Sequence, residues 1–212
     1  MQCNAARKVL ASRGALPAPP ECVCHLVSVT CSHLHASFVG ATRHFALAFV
    51  QTARQNPLMA LMLPRTRSCF VCGVNNPLGL NLGFEIEGDT VVSRFRFLPQ
   101  HAGFRTAVHG GLIATVLDEA MVWACGVRSR QFTYSAEMTI RYRHTIAPGQ
   151  EVKVVGAMTA NRKNRLFEAK AEIVSATGEI LASGTGKYLP VPRNLVGEML
   201  SDFVGDIGKF ID

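Results

Sequence analysis

The chain has 212 residues, 48% hydrophobic and 17% charged, enough apolar material for one substantial core plus a tail and marginal for two independent domains. Its formal charge of +7 lies mostly in residues 1–62, where five basic residues face Glu21 alone. The remainder is only mildly basic, and no basic stripe with interleaved aromatics marks a nucleic-acid face. No uninterrupted apolar run reaches the roughly eighteen residues of a membrane span. The nearest stretch, Phe45–Leu63, is broken by Arg54, Gln55, Asn56 and Pro57.

Residues 1–64 read as an N-terminal extension. They hold His and Cys in excess and show only a patchy helical signal around Phe45–Gln51. An acid-poor, Arg-containing leader is one reading. The plainer one is an extension with no folded role, or a start site placed too far upstream, since Met59 and Met62 just precede the clear domain. Cys22, Cys24, His25, Cys31, His33 and His35 fit no usual zinc spacing. Seven cysteines, odd in number and scattered, suit a reducing compartment, so a cytoplasmic protein is expected.

Residues 65–192 carry the domain. Its opening segment contains Cys69-x-x-Cys72-Gly73; one such pair cannot close a structural zinc site without two more ligands, and Asn75–Pro77 gives a loop where a redox motif wants a helix. The pair is read as part of a packed segment, and no metal or cofactor is expected. Leu82–Glu87 and Thr90–Phe97 are strand-like runs joined by Gly88-Asp89. Leu112–Ala124 has no Gly or Pro and reads as a helix. Period-two alternation then returns at Met138–Thr145 and Phe167–Ile173, with further strands at Val152–Thr159 and Glu179–Leu189. Turns fall at Pro148-Gly149, Asn161–Asn164 and Thr177-Gly178. Two strands, one long helix and four strands predict an α+β fold, the helix wrapped by a mainly antiparallel sheet of about six strands. Residues 193–212 read as a C-terminal tail.

The helix is apolar nearly all round, so Asp118 and Glu119 need explaining, because a carboxylate buried without partners is costly. Neighbours on a helix point about 100° apart, so the two acids cannot share one environment. An outward or Arg-paired acid is the structural reading; a functional acid is the other. The helix entry favours function. His109-Gly110-Gly111 precedes it directly, and the two glycines let a ligand approach the backbone. Free N–H groups at a helix N-terminus can hold a developing oxyanion. Asp118 lies eight residues beyond Gly110, roughly 12 Å along the axis, so one reacting carbonyl cannot reach both in one chain. Two antiparallel helices related by a two-fold axis could pair one chain's Gly110 with the other's Asp118, so a homodimer, or a dimer of dimers, follows from that chemistry.

Three blocks resemble the PaaI-like hotdog thioesterases: HGGLIATVLDEAM (His109–Met121), CFVCGVNNPLGL (Cys69–Leu80) and YSAEMTIRYRHTIAPG (Tyr134–Gly149). The resemblance spans about 120 residues. It implies a hotdog fold and hydrolysis of an acyl-CoA to free acid and CoA. It implies that Gly110 N–H polarises the thioester carbonyl, that His109 shapes the loop, and that Asp118 acts as general base or nucleophile. Ser135 matches a Ser or Thr that helps place water. Relatives carry Asn or Gln where this chain has Gly103, which leaves oxyanion support to the backbone or to a side chain such as His101. Glu119 is a second possible base. The Arg162, Lys163 and Arg165 turn is a candidate for the CoA phosphates, a solvated hairpin tip being its plainer reading. A binding module that holds an acyl-CoA or lipid without turnover is the alternative function; a hydratase would want an Asp and His in a short motif that this chain lacks.

Overall fold

The computed structural model describes residues 61–211. The N-terminal expectations, including the Cys22–His35 cluster, lie outside the described residues. In chain order the elements are β1 (Leu61–Met62), β2 (Arg65–Thr66), β3 (Glu85–Glu87), β4 (Thr90–Arg96), a 3-10 turn at Pro99–His101, β5 (Ala102–Phe104), β6 (Ala107–Val108) and α1 (Gly110–Ser129). There follow β7 (Thr133–Tyr142), β8 (Glu151–Arg162), β9 (Leu166–Ser175), β10 (Ile180–Pro190), α2 (Arg193–Asp202) and β11 (Phe203–Val204). A seven-stranded antiparallel sheet runs β1-β3-β4-β8-β9-β10-β7, and α1 packs on it. This is the α+β hotdog arrangement the sequence implied.

Alternation decides which face meets the helix. Phe167, Ala169, Ala171 and Ile173 of β9 are all buried, as are Val152, Val154 and Gly156 of β8. The helix answers with Val116, Leu117, Ala120, Met121 and Ala124. The closest approach is at Gly156, where a Cβ would lie 2.4 Å from the Ala120 carbonyl oxygen, so only glycine allows helix and strand to meet there. Length and hydropathy alone would let α1 cross a bilayer; half of that stretch is buried in the domain instead.

Turn chemistry follows the sequence. Gly149 and Gly178 have φ of 84°, and the β8–β9 hairpin turns through Lys163 and Asn164, both at φ 56°. Three elements differ from expectation. The helix is longer at both ends, because burial of Cys125 and Gly126 and the cap at His109 outweigh the low helix propensity of glycine. The strand expected over Leu82–Glu87 shrinks to Glu85–Glu87, because Leu82 N–H bonds the Val71 carbonyl at 2.8 Å rather than a strand partner. The domain also continues past Pro192: β11 pairs with β2, and Ile207, Phe210 and Ile211 enter the core. At the other end, β1 joins the sheet within the segment read as an extension.

Candidate active site

His109 sits outside the helix with φ −62° and ψ 128°, and its Nδ1 accepts the Gly111 N–H at 3.0 Å. The His109 carbonyl accepts the amides of Leu112 at 3.0 Å and Ile113 at 3.4 Å. These bonds leave the Gly110 amide as the first-turn N–H without an intrahelical acceptor. Tyr142, at the end of β7, donates its hydroxyl to the Gly110 carbonyl at 3.0 Å and lays its ring beside the glycine. The His109 ring thus caps the turn, and Gly111 spends its N–H on it.

Two turns along α1, Asp118 Oδ1 accepts hydrogen bonds from Ser135 Oγ at 2.6 Å and from Tyr188 OH at 3.0 Å. Burial and the adjacent carboxylate push the Tyr188 phenol well above its ordinary range, so it stays a neutral donor. Both donors bind one oxygen, which fixes the carboxylate and leaves Oδ2 without a protein partner among the described residues. Sequence reasoning found Ser135 and missed Tyr188. The signal was present: Ala182, Gly184, Gly186 and Tyr188 share the buried face of β10, and a tyrosine there needs a partner for its hydroxyl.

Within one chain the helix start and Asp118 stay apart. Ala182 of β10 pairs with Tyr142, above Gly110, whereas Tyr188 pairs with Ser135, beside Asp118. Phe167 pairs with Tyr188, so the β8–β9 hairpin projects from the Asp118 end. Of the three basic residues in its turn, Arg162 is engaged with Glu168 at 2.7 Å; Lys163 and Arg165 are exposed. His101, the other candidate for oxyanion support, accepts the Leu98 N–H on Nδ1 at 3.0 Å, and burial lowers its pKa. Gly103 lies against His109, and a Cβ there would come within 3.0 Å of the histidine Cα.

Glu119 turns to the other side of α1. Its Oε1 accepts the Trp123 Nε1 hydrogen at 3.2 Å, and burial of its carboxyl, reinforced by Cys69, raises its pKa to about 7. Beside it, hydrogen bonding from Cys72 leads the interactions that hold Cys69 near 5, and burial adds to the same bond in pushing Cys72 far up. A cavity of about 240 Å³ opens here, walled by Val122, Trp123, Phe132, Met199, Phe203 and Ile211. It is separate from the Gly110 turn.

Residues 106–182, from β6 to the start of β10, match the family model of the thioesterase superfamily. That stretch resembles the thioesterase superfamily, and the surrounding fold is the hotdog arrangement. A solved thioesterase superfamily protein matches it with 21% identity and a TM-score of 0.54, over 58% of this chain and 60% of the other. The hotdog domain therefore accounts for about three-fifths of that structure. Zebrafish thioesterase superfamily member 2 matches with 19% identity and a TM-score of 0.50, over 55% and 89%. The E. coli PaaI protein, from a phenylacetic acid degradation operon, gives 18% identity and a TM-score of 0.49, over 53% and 81%. At these identities the likeness to the first two is one of fold. No curated protein has significant sequence similarity to the chain.

Proposed function

We propose that the chain is an acyl-CoA thioesterase whose site is shared between two copies. The observation that carries this reading is the carboxylate of Asp118, held on one oxygen by Ser135 and Tyr188, with the other unpartnered among the described residues. A thioester carbonyl is already electrophilic, so its hydrolysis asks for one oxyanion donor and one base. The Gly110 amide is the donor. Asp118 Oδ2 takes a proton from water, which adds to the carbonyl carbon; collapse expels the CoA thiolate, which leaves as the thiol. Attack by Asp118 itself, through an anhydride that water then opens, uses the same groups.

The two groups come from different subunits, because roughly 12 Å of helix separates them in one chain. β7 supports this pairing: it is a ten-residue edge strand carrying exposed Tyr134 and Tyr142, and long unpaired edges invite a second strand. The hairpin with Lys163 and Arg165 projects from the Asp118 end and would meet the CoA phosphates there. Gly103 favours the second reading, a module that binds an acyl-CoA or lipid without turnover, because it offers no side chain to the oxyanion turn.

Thiol release from short, medium, long and aromatic acyl-CoAs, comparing wild type with Asp118→Ala, tests the proposal. Turnover that collapses while fold and assembly persist supports it. Unchanged turnover moves the base to Glu119. Tight binding of the esters with no turnover on any of them makes the chain a binding module.

A further inference from the structure

On the far side of α1 the CxxC segment meets the helix. Thr66 Oγ1 accepts the Cys69 amide at 3.2 Å, and Gly73 N–H closes the turn on the Cys69 carbonyl at 3.0 Å. A Cβ on Gly73 would fall 2.2 Å from that carbonyl oxygen, so only glycine lets the chain curl this tightly. The curl turns both sulfurs to one side. Val71 N–H then points at Cys69 Sγ, 3.3 Å away, and the Thr66 hydroxyl lies 3.6 Å from Cys72 Sγ. An amide donor aimed at the Cys69 sulfur suits a thiolate better than a thiol.

The third group comes from fifty residues further on. Glu119 carboxylate oxygens lie 3.9 and 4.0 Å from Cys69 Sγ, and one ligand atom from each of the three residues falls within 4.8 Å of the others. Among the described residues no basic side chain lines this cavity or forms an ion pair with Glu119, whose carboxyl is buried. Half-buried Cys69 and Glu119 and buried Cys72 thus bring two sulfurs and a carboxylate together from two separate segments of the fold, with the Arg65 guanidinium bound to the Cys72 carbonyl at 3.0 Å.

We propose that Cys69, Cys72 and Glu119 form a three-ligand site for a thiophilic divalent cation of the zinc class, with the fourth position open to the cavity. Zinc–sulfur bonds of roughly 2.3 Å and zinc–oxygen bonds of roughly 2.0–2.2 Å put tetrahedral donors about 3.5–3.8 Å apart. The Cys69–Glu119 spacing needs a few tenths of an ångström of closure, and the widest spacing of the three, within 4.8 Å, needs up to about 1 Å. Loading releases to solvent the protons the thiols carry, and no electron is transferred. Two thiolates and one carboxylate around a divalent ion leave one residual negative charge. The cavity, at about 240 Å³, has room for a water or a small exogenous donor in the fourth position. The sequence alone could not assemble this site, because a lone CxxC lacks further ligands until the fold supplies Glu119. It is independent of the thioesterase reading, since no group is shared with Gly110 or Asp118.

Cobalt titration of the reduced full-length protein, with metal content measured on the protein as purified, tests the site without reference to turnover. Wild type should bind one tight equivalent and show sulfur-to-cobalt charge transfer with intense tetrahedral d–d bands. Cys72→Ser should abolish the charge-transfer signature, and the isosteric Glu119→Gln should weaken zinc in a competition assay by at least about tenfold. Cys125→Ala removes a buried thiol elsewhere, and Cys22→Ser with Cys24→Ser removes N-terminal thiols; both should leave the signature intact. Circular dichroism confirms that each variant is folded. The proposal is overturned if reduced wild type shows no charge transfer, if Cys72→Ser keeps it, if Glu119→Gln leaves affinity unchanged, or if the signature follows the N-terminal cysteines.

Discussion

Replacing Gly110 by proline isolates the proposed oxyanion donor. Gly110 is the first residue of α1, where proline is tolerated best, and His109 before it already has the extended backbone that a following proline demands. A Cβ at this position meets the Tyr142 ring at 3.5 Å, ordinary contact, and the Gly110 carbonyl that receives the tyrosine hydroxyl is retained. The substitution therefore removes one N–H and little else. That hydrogen is the one that matters, since the Gly111 amide is bound to His109 Nδ1 and the next two amides to the His109 carbonyl. Losing an oxyanion donor costs roughly 10²- to 10³-fold in kcat, about 2.7–4 kcal/mol of transition-state stabilisation. Stability should hold or rise by about 0.4–1 kcal/mol, because proline restricts the unfolded chain. The assay is steady-state thiol release on the best acyl-CoA, with a thermal melt and a sizing column on the same preparation. Unchanged kcat with fold and assembly as in wild type would refute the role given to this amide; lost turnover with a lower melting temperature would refute the claim that the turn accepts proline.

Tyr188→Phe keeps the buried ring and deletes one of two hydrogen bonds to Asp118 Oδ1; kcat should fall by roughly tenfold or more with KM little changed, from about 1.5–3 kcal/mol per bond to a charged acceptor. Pairing it with Ser135→Ala in a double-mutant cycle should give a loss larger than the sum, because the last donor to that oxygen then disappears. Truncation after Pro192 removes α2, β11 and buried Ile207, Phe210 and Ile211, exposing Trp123 and Phe132. At about 1.5–3 kcal/mol per side chain this approaches the whole stability of a domain, and denaturant unfolding should show no cooperative native baseline.

Much of the domain was legible because its signals are local. Alternation at Phe167–Ile173 and the turn residues at Gly149 and Gly178 are read directly from neighbours in sequence. What escaped depends on distance. Leu82 abandons a ladder for the Val71 carbonyl, a choice no window around Leu82 contains. Ile207, Phe210 and Ile211 look like a tail until Trp123 and Phe132 are seen to need a cover. The same holds at the site. Asp118 and Gly110 stand out by breaking the helix pattern, whereas Tyr188 belongs to a strand seventy residues on and shows its role only through its hydroxyl.

The adjacent acids of α1 are the clearest case of geometry dividing what sequence joins. About 100° of helical rotation sends Asp118 toward Ser135 and Tyr188, at the edge strand, and Glu119 toward Trp123 and the CxxC turn. The first environment offers donors to one oxygen and leaves the other without a protein partner among the described residues; in the proposed reading it waits on a second copy for its oxyanion partner. The second is enclosed by residues of the same chain, α2 included, and needs none. Assembly and thiol chemistry therefore act on different carboxylates. Dissociating the proposed dimer should silence the proposed turnover without disturbing the cluster at Glu119, while blocking Cys69 and Cys72 should disturb that cluster and leave the Asp118 hydrogen bonds in place. An acid-to-amide substitution at either position thus reports on one side of the helix alone, although the two residues share a peptide bond.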